Sequence, residues 1–160
     1  MSAKSDPLLA AVDDLVRRRP PPLAEVLDAV LARFDCPLGT IHVMRDDGDL
    51  VLAAERNLPP PVRAKVEVVP IGKGMAGIAA ERRAPVQVCN LQTDESGVVR
   101  PGAKLTLMEG AIACPMLAGE RLVGVLGVAK PVPYEFTAAE TDLLMAVGKT
   151  IAQSLAGVAG

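Results

Sequence analysis

The chain has 160 residues, half of them apolar, with 17 basic and 19 acidic side chains, a net charge of −2 and one histidine. That is apolar material for one domain with a true core and too little chain for two, and a nearly neutral, evenly spread charge excludes the footprint of a nucleic-acid binder or of a protein held to an acidic membrane. Cys36, Cys89 and Cys114 lack paired spacing, which fits reduced thiols in a cytoplasmic protein, and with His42 the only histidine they do not make a zinc site.

Leu8, Leu9, Val12, Leu15 and Val16 recur at helical spacing, so a first helix is expected over about 7–19. The basic run Arg17-Arg18-Arg19 suits the negative end of its dipole, and Pro20-Pro21-Pro22 stops it. A second helix follows over 23–34 on the stripe Leu23, Val26, Leu27, Val30, Leu31 and Phe34, closed by Pro37 and Gly39. The period then changes. Residues 39–45 and 49–55 read as strands of a hairpin whose turn, Asp46-Asp47-Gly48, contains the Asp-Gly step. Pro59-Pro60-Pro61 punctuates the chain before an alternating strand over 66–69, which Pro70 ends.

Residues 72–77, Gly-Lys-Gly-Met-Ala-Gly, match G-x-G-x-x-G literally, and Asp94 lies near the distance at which an acid would hold a ribose. That motif needs a buried parallel strand before it. Here the preceding strand alternates, carries Glu67 and ends in proline, so a dinucleotide cradle is not expected. A short helix is predicted over 74–83, a short strand over 86–89, and a polar 15-residue loop over 90–104, long enough to serve as a lid or binding wall. A second hairpin pairs 110–117 with 121–129 around Ala118-Gly119-Glu120, both arms rich in small apolar residues. Thr137-Ala138-Ala139-Glu140 is a capping box that opens a long last helix with Leu144, Val147, Gly148, Ile151 and Leu155 on one face. The order predicts an α+β fold around a mainly antiparallel sheet. No apolar run approaches the ~20 residues of a membrane span, and charges interrupt the first 20 residues where a signal peptide needs an apolar core.

Four segments in order carry a family resemblance: 71–77 opening a helix; Ala84-Pro85-Val86 leading to Cys89-Asn90; Ala113-Cys114-Pro115-Met116; and 124–128 followed by 136–140. Together they make the chain resemble a GAF domain, a PAS-like sensor fold, over about 23–155, within one domain spanning 1–160. The resemblance implies terminal helices on one face of the sheet and, on the other, a pocket roofed by residues 74–83 and 90–109. It also implies a stand-alone, non-enzymatic sensory or regulatory domain with a pocket for a small molecule, dimerising through its terminal helices and acting on a separate output protein.

Subfamilies separate residue by residue. Cyclic-nucleotide-binding relatives carry Asn-Lys, then Phe, then Asp-Glu; this chain has Ala129-Lys130, Phe136 and Glu140-Thr141, so the pair and the acidic doublet are broken. Bilin attachment uses Cys-His, whereas Cys36, Cys89 and Cys114 precede Pro37, Asn90 and Pro115. With Phe34, Phe136 and Tyr134 the only aromatic rings besides His42, stacking ligands find little to grip, and no cofactor is expected. The enzymatic alternative is a free methionine-(R)-sulfoxide reductase, whose thiol would be activated at a helix start; this chain has Ala76 there. A ligand-free dimerisation module is the third reading.

The candidate ligand-binding residues are Gly74, Met75 and Ala76, whose amides open a helix and suit an anion or carbonyl, together with His42, Asn90, Asp94, Met108, Glu109 and Cys114. Each has a plainer alternative: close packing for the glycine, core or surface placement for His42, gap-filling for the methionines, solvation for the polar residues and an inert buried thiol for Cys114. One histidine and scattered acids assemble no catalytic triad, acid–base pair or metal set.

Overall fold

The computed structural model describes residues 6–99 and 101–159; Arg100, inside the predicted 90–104 loop, lies outside them. Helix α1 (Pro7–Val16) starts where the Asp6 carboxylate accepts from the Leu8 amide at 2.9 Å and proline takes the first helical position, which needs no donor. Helix α2 (Leu23–Phe34) ends at Asp35 in the left-handed region, where the Cys36 amide returns to the Leu31 carbonyl at 3.0 Å. Strands β1 (Leu38–Met44) and β2 (Leu50–Arg56) form the first hairpin.

The next segment differs from expectation. Helix α3 (Pro60–Val66) occupies what reads as punctuation, and strand β3 is only Val68–Val69. The prolines do not break this helix because they stand at its cap and first positions, where the missing N–H has no intrahelical partner anyway. Helix α4 (Gly74–Arg82) and strand β4 (Val86–Val88) follow, and residues Pro101–Thr106 form a 3-10 turn within the long connection. Strands β5 (Gly110–Ala118) and β6 (Arg121–Lys130) make the second hairpin, before helix α5 (Ala138–Ala159). Its capping box is complete: the Glu140 amide donates to Thr137 Oγ1 at 3.1 Å and the Thr137 amide to Glu140 Oε1 at 2.9 Å.

The strands form one antiparallel six-stranded sheet in the order β3-β2-β1-β6-β5-β4. Helices α1, α2 and α5 cover one face. There Val12, Val26, Val30, Val147 and Ile151 are sealed from solvent against Ile41, Cys114, Met116 and Leu126 of the sheet. This is the main core, and its helical stripes are those that the 3.6-residue period marks. The other face carries α3, α4 and the 3-10 turn over two smaller apolar clusters, one around Leu50, Val69, Ala79, Ala80 and Val125, the other around Leu38, Val88, Leu91 and Ala111. Among the described residues no helix is long and apolar enough to cross a membrane.

Candidate functional site

The second face encloses a cavity of about 520 Å³. Its existence follows from the strand register. Ala111 lies opposite Ala129, and Ala113 opposite Gly127, which in turn lies opposite Thr40 of β1. Small side chains therefore stand side by side across three neighbouring strands, and the sheet floor lacks the bulk that would otherwise meet the helices above it. Lys73, Gly74, Met75 and Ala76 at the start of α4 wall one side. Leu58, Val62, Lys65 and Val66 wall another, and Leu91, Ala103 and Thr106 of the long connection close the rim.

The glycine motif supplies backbone geometry. Gly72 and Gly74 hold φ of +87° and +67°, a region that strains residues bearing Cβ. At Gly77 a Cβ would lie 2.4 Å from the Pro70 carbonyl oxygen. The loop is tied by the Gly72 amide donating to the Gly77 carbonyl at 2.8 Å and by Lys73 N–H donating to Pro70 at 3.2 Å. Lys73 is the extended residue before α4, and no side chain caps the helix. The Gly77 amide reaches the Lys73 carbonyl at 3.2 Å; the three amides before it, those of Gly74, Met75 and Ala76, have no intrahelical acceptor and belong to residues that line the cavity.

His42 is the buried polar residue of the site, 2% exposed in the floor beside Thr40. Its Nε2–H donates to the Val66 carbonyl at 2.8 Å, which satisfies an orphan carbonyl at the last residue of α3 and fixes the tautomer, since a carbonyl can only accept. Nδ1, itself sealed from solvent, is left as an acceptor without a partner among the described residues. Burial pushes the His42 pKa down, the bond to Val66 opposing it, so the ring is held neutral. Among the described residues the side-chain charges on the cavity are Lys65 and Lys73, both exposed at the rim, and no acidic side chain and no Phe or Tyr lines it.

Of the sequence candidates, Gly74, Met75, Ala76 and His42 line this cavity; Asn90, Asp94, Met108, Glu109 and Cys114 do not. Asn90 and Asp94 use their carboxamide and carboxylate oxygens to accept from the amides of Gln92 and Ser96, holding turns of the long connection. Met108 packs against the Leu38–Leu91 cluster, and the Glu109 main chain bonds Leu91 and Lys130. Cys114 points to the opposite face, fully buried in the main core, where desolvation pushes its pKa up to about 12. Two strand positions before it Ile112 touches both core and cavity, so alternation alone did not reveal which side Cys114 takes. Val62, Lys65 and Val66 were missed because the helix that carries them hides behind its prolines; Thr40, Ala111, Ala113 and Gly127 could have been found from the small-residue rows. Among the described residues no His, Cys, Asp or Glu group gathers to hold a metal ion.

Comparison with known proteins agrees with this architecture. The chain is similar to the GAF domain of a phosphoenolpyruvate-protein phosphotransferase from Acinetobacter, at 16% identity and TM-score 0.77, covering 95% of this chain and 92% of that one. It is similar to free methionine-R-sulfoxide reductase from Neisseria meningitidis in complex with its substrate, at 17% identity and TM-score 0.75 over 93% and 86% of the two chains. A third likeness is a GAF sensor protein from Burkholderia vietnamiensis, at 21% identity and TM-score 0.71 over 96% of each chain. A search of curated proteins gave no significant match. The family model described as "GAF domain" matches residues 23–156, from the start of α2 into the last turns of α5, and the chain belongs to that family.

Proposed function

We propose that this chain is a sensory or regulatory domain of a cytoplasmic signalling system that binds a small molecule in the β1–β5–β6 cavity and passes its state, as a dimer, to a separate output protein through the outer faces of α1, α2 and α5. The observation that carries the reading is the cavity itself: about 520 Å³ of mostly apolar space with a few convergent polar groups, the usual constitution of a small-molecule site. Likeness to sensor domains supports it at the level of fold.

The thiol-reductase reading has its support in the likeness to sulfoxide reductases. The cysteines favour the sensor instead. None lines the cavity. Cys114 lies across the sheet, and Cys36 is buried at the end of α2 with its pKa pushed up to about 11, chiefly by burial. A thiol so held is rarely thiolate at neutral pH, and the thiolate is the nucleophile.

A thermal-shift screen of metabolites tests the proposal, because a ligand that binds the native state raises apparent stability. Turnover of free methionine sulfoxide with a reductant, lost when all three cysteines are replaced, would overturn the non-enzymatic reading. A monomer by light scattering at working concentrations would remove the dimer from it.

A further inference from the structure

The polar side chains of the cavity are few, and most are already engaged. His42 is bonded through Nε2 to Val66, and its Nδ1 is sealed from solvent. The Thr106 hydroxyl donates to the Ala103 carbonyl at 2.7 Å and accepts from the Met108 amide at 3.1 Å, holding the turn at the rim. Lys65 and Lys73 are exposed, so their ammonium groups stay hydrated at the mouth. Thr40 differs. Among the described residues its hydroxyl has no hydrogen-bond partner, and it is not sealed: Thr40 is half-buried, and the buried side-chain polar atom left unpaired is His42 Nδ1. Thr40 stands inside the sheet in one row with Gly127 and Ala113, and a Cβ on Gly127 would lie 3.1 Å from Thr40 Oγ1. The missing side chain therefore leaves the hydroxyl open to the cavity. Around it the lining is aliphatic, with Leu38, Val62, Met75, Ile112 and Val128.

We infer that the cavity takes a small uncharged molecule, mainly aliphatic, whose hydroxyl or carbonyl group meets Thr40 Oγ1. The inference rests on reading the cavity as a ligand site and adds the ligand's chemical class. A threonine hydroxyl both donates and accepts, so Thr40 serves either group. An apolar body displaces water from the aliphatic walls, which is favourable in proportion to the area covered. A charged group carried to the floor would lose its hydration with no opposite charge beside it. Among the described residues no acidic side chain lines the cavity, and both lysines stand at its mouth.

The test uses the full chain and a defined panel at neutral pH: butan-1-ol, hexan-1-ol, octan-1-ol, hexanamide, hexanoate and hexylammonium, with Kd measured by calorimetry. Through the alcohols affinity is expected to rise about two- to fourfold per added methylene. Hexanol and hexanamide should bind about tenfold or more tightly than hexanoate or hexylammonium, which must surrender the hydration of a charge. Thr40→Val keeps the branched shape and removes the hydroxyl; it should weaken hexanol roughly two- to tenfold and leave the gain per methylene unchanged. Thr40→Ser keeps the hydroxyl and should bind hexanol more tightly than Thr40→Val. The chain-length and charge comparisons are made on the unaltered chain. Should Thr40→Val not fold, Gly127→Ala reads the same contact, because its Cβ covers Oγ1, and it too should weaken hexanol.

Hexanoate or hexylammonium binding as tightly as hexanol would overturn the uncharged class while leaving a small-molecule site in place. An affinity that does not grow from butanol to hexanol would refute the aliphatic part, and hexanol binding unaltered by Thr40→Val and Gly127→Ala would refute the role of Thr40. If no panel member binds and the metabolite screen returns a ligand of another chemistry, the class is wrong and the regulatory reading survives; if neither yields a ligand, both fall.

Discussion

Gly77→Ala isolates the backbone role of the glycine motif from any ligand role. Alanine in a helix is ordinarily favoured over glycine by about 1 kcal/mol. At this position the new Cβ would sit 2.4 Å from the Pro70 carbonyl oxygen and 3.1 Å from the Gly72 nitrogen, both backbone atoms, and real Cβ contacts essentially never fall below 3.0 Å. The strand end and helix start must therefore separate, which strains the 2.8 Å bond from the Gly72 amide to Gly77 and the 3.2 Å bond from Lys73 to Pro70. Overpacking costs about 1–3 kcal/mol and a weakened hydrogen bond about 1 kcal/mol, against the helix gain of about 1 kcal/mol. The balance is a loss of roughly 1–3 kcal/mol, or several degrees of Tm at about 2–4 °C per kcal/mol for a chain of this size. Gly157→Ala is the control, since it lies in α5 with nothing within 4 Å of the added methyl and should be neutral or stabilising by up to about 1 kcal/mol. Urea titration of the two variants decides the matter. Were Gly77→Ala as stable as Gly157→Ala, the close approach of Pro70 would not be what requires glycine.

The depressed pKa of His42 gives stability a definite pH sign. The unfolded chain takes up a proton near pH 6.5 while the buried ring does not, so stability falls as pH drops through that region, at a limiting slope of about 1.4 kcal/mol per pH unit for one proton. His42→Gln should flatten the urea midpoint between pH 7.5 and 5.5, and an unchanged slope would show that the ring is not held neutral. Thiol titration should find Cys89 fast in the native state, because it is exposed, and Cys36 and Cys114 accessible only in denaturant; two or more fast thiols would contradict the packing. Glu140→Ala removes the acceptor of both the Thr137 amide and the Tyr134 hydroxyl and should cost about 1 kcal/mol or more, read as a lower urea midpoint; no loss would mean that the capping box is idle.

What the sequence disclosed and what it hid have physical reasons. Period and capping chemistry made α1, α2, α5 and both hairpins legible, since each depends on residues within a few positions of one another. Helix α3 stayed hidden because proline carries two opposite meanings, a breaker inside a helix and a good first residue, and only the following turns decide between them. The glycine motif was legible as a tight strand-to-helix turn, and Gly74, Met75 and Ala76 do reach the cavity. The loop residues Asn90 and Asp94 do not, because their side chains are spent on local turns that no spacing rule announces. Nor could the sequence reveal that Val66 accepts from His42, a contact across 24 residues that sets the tautomer of the buried ring.

The most direct test of the account compares ligand-induced thermal shifts in the native chain and in Ala113→Phe, whose ring would occupy the space above the Gly127 row. A compound present at about 100 times its Kd stabilises by about 2.7 kcal/mol, a rise of roughly 5–10 °C in Tm. The account predicts that rise for the native chain and none for a folded Ala113→Phe. An equal rise in both would place the ligand elsewhere, contradicting the cavity as the sensory site.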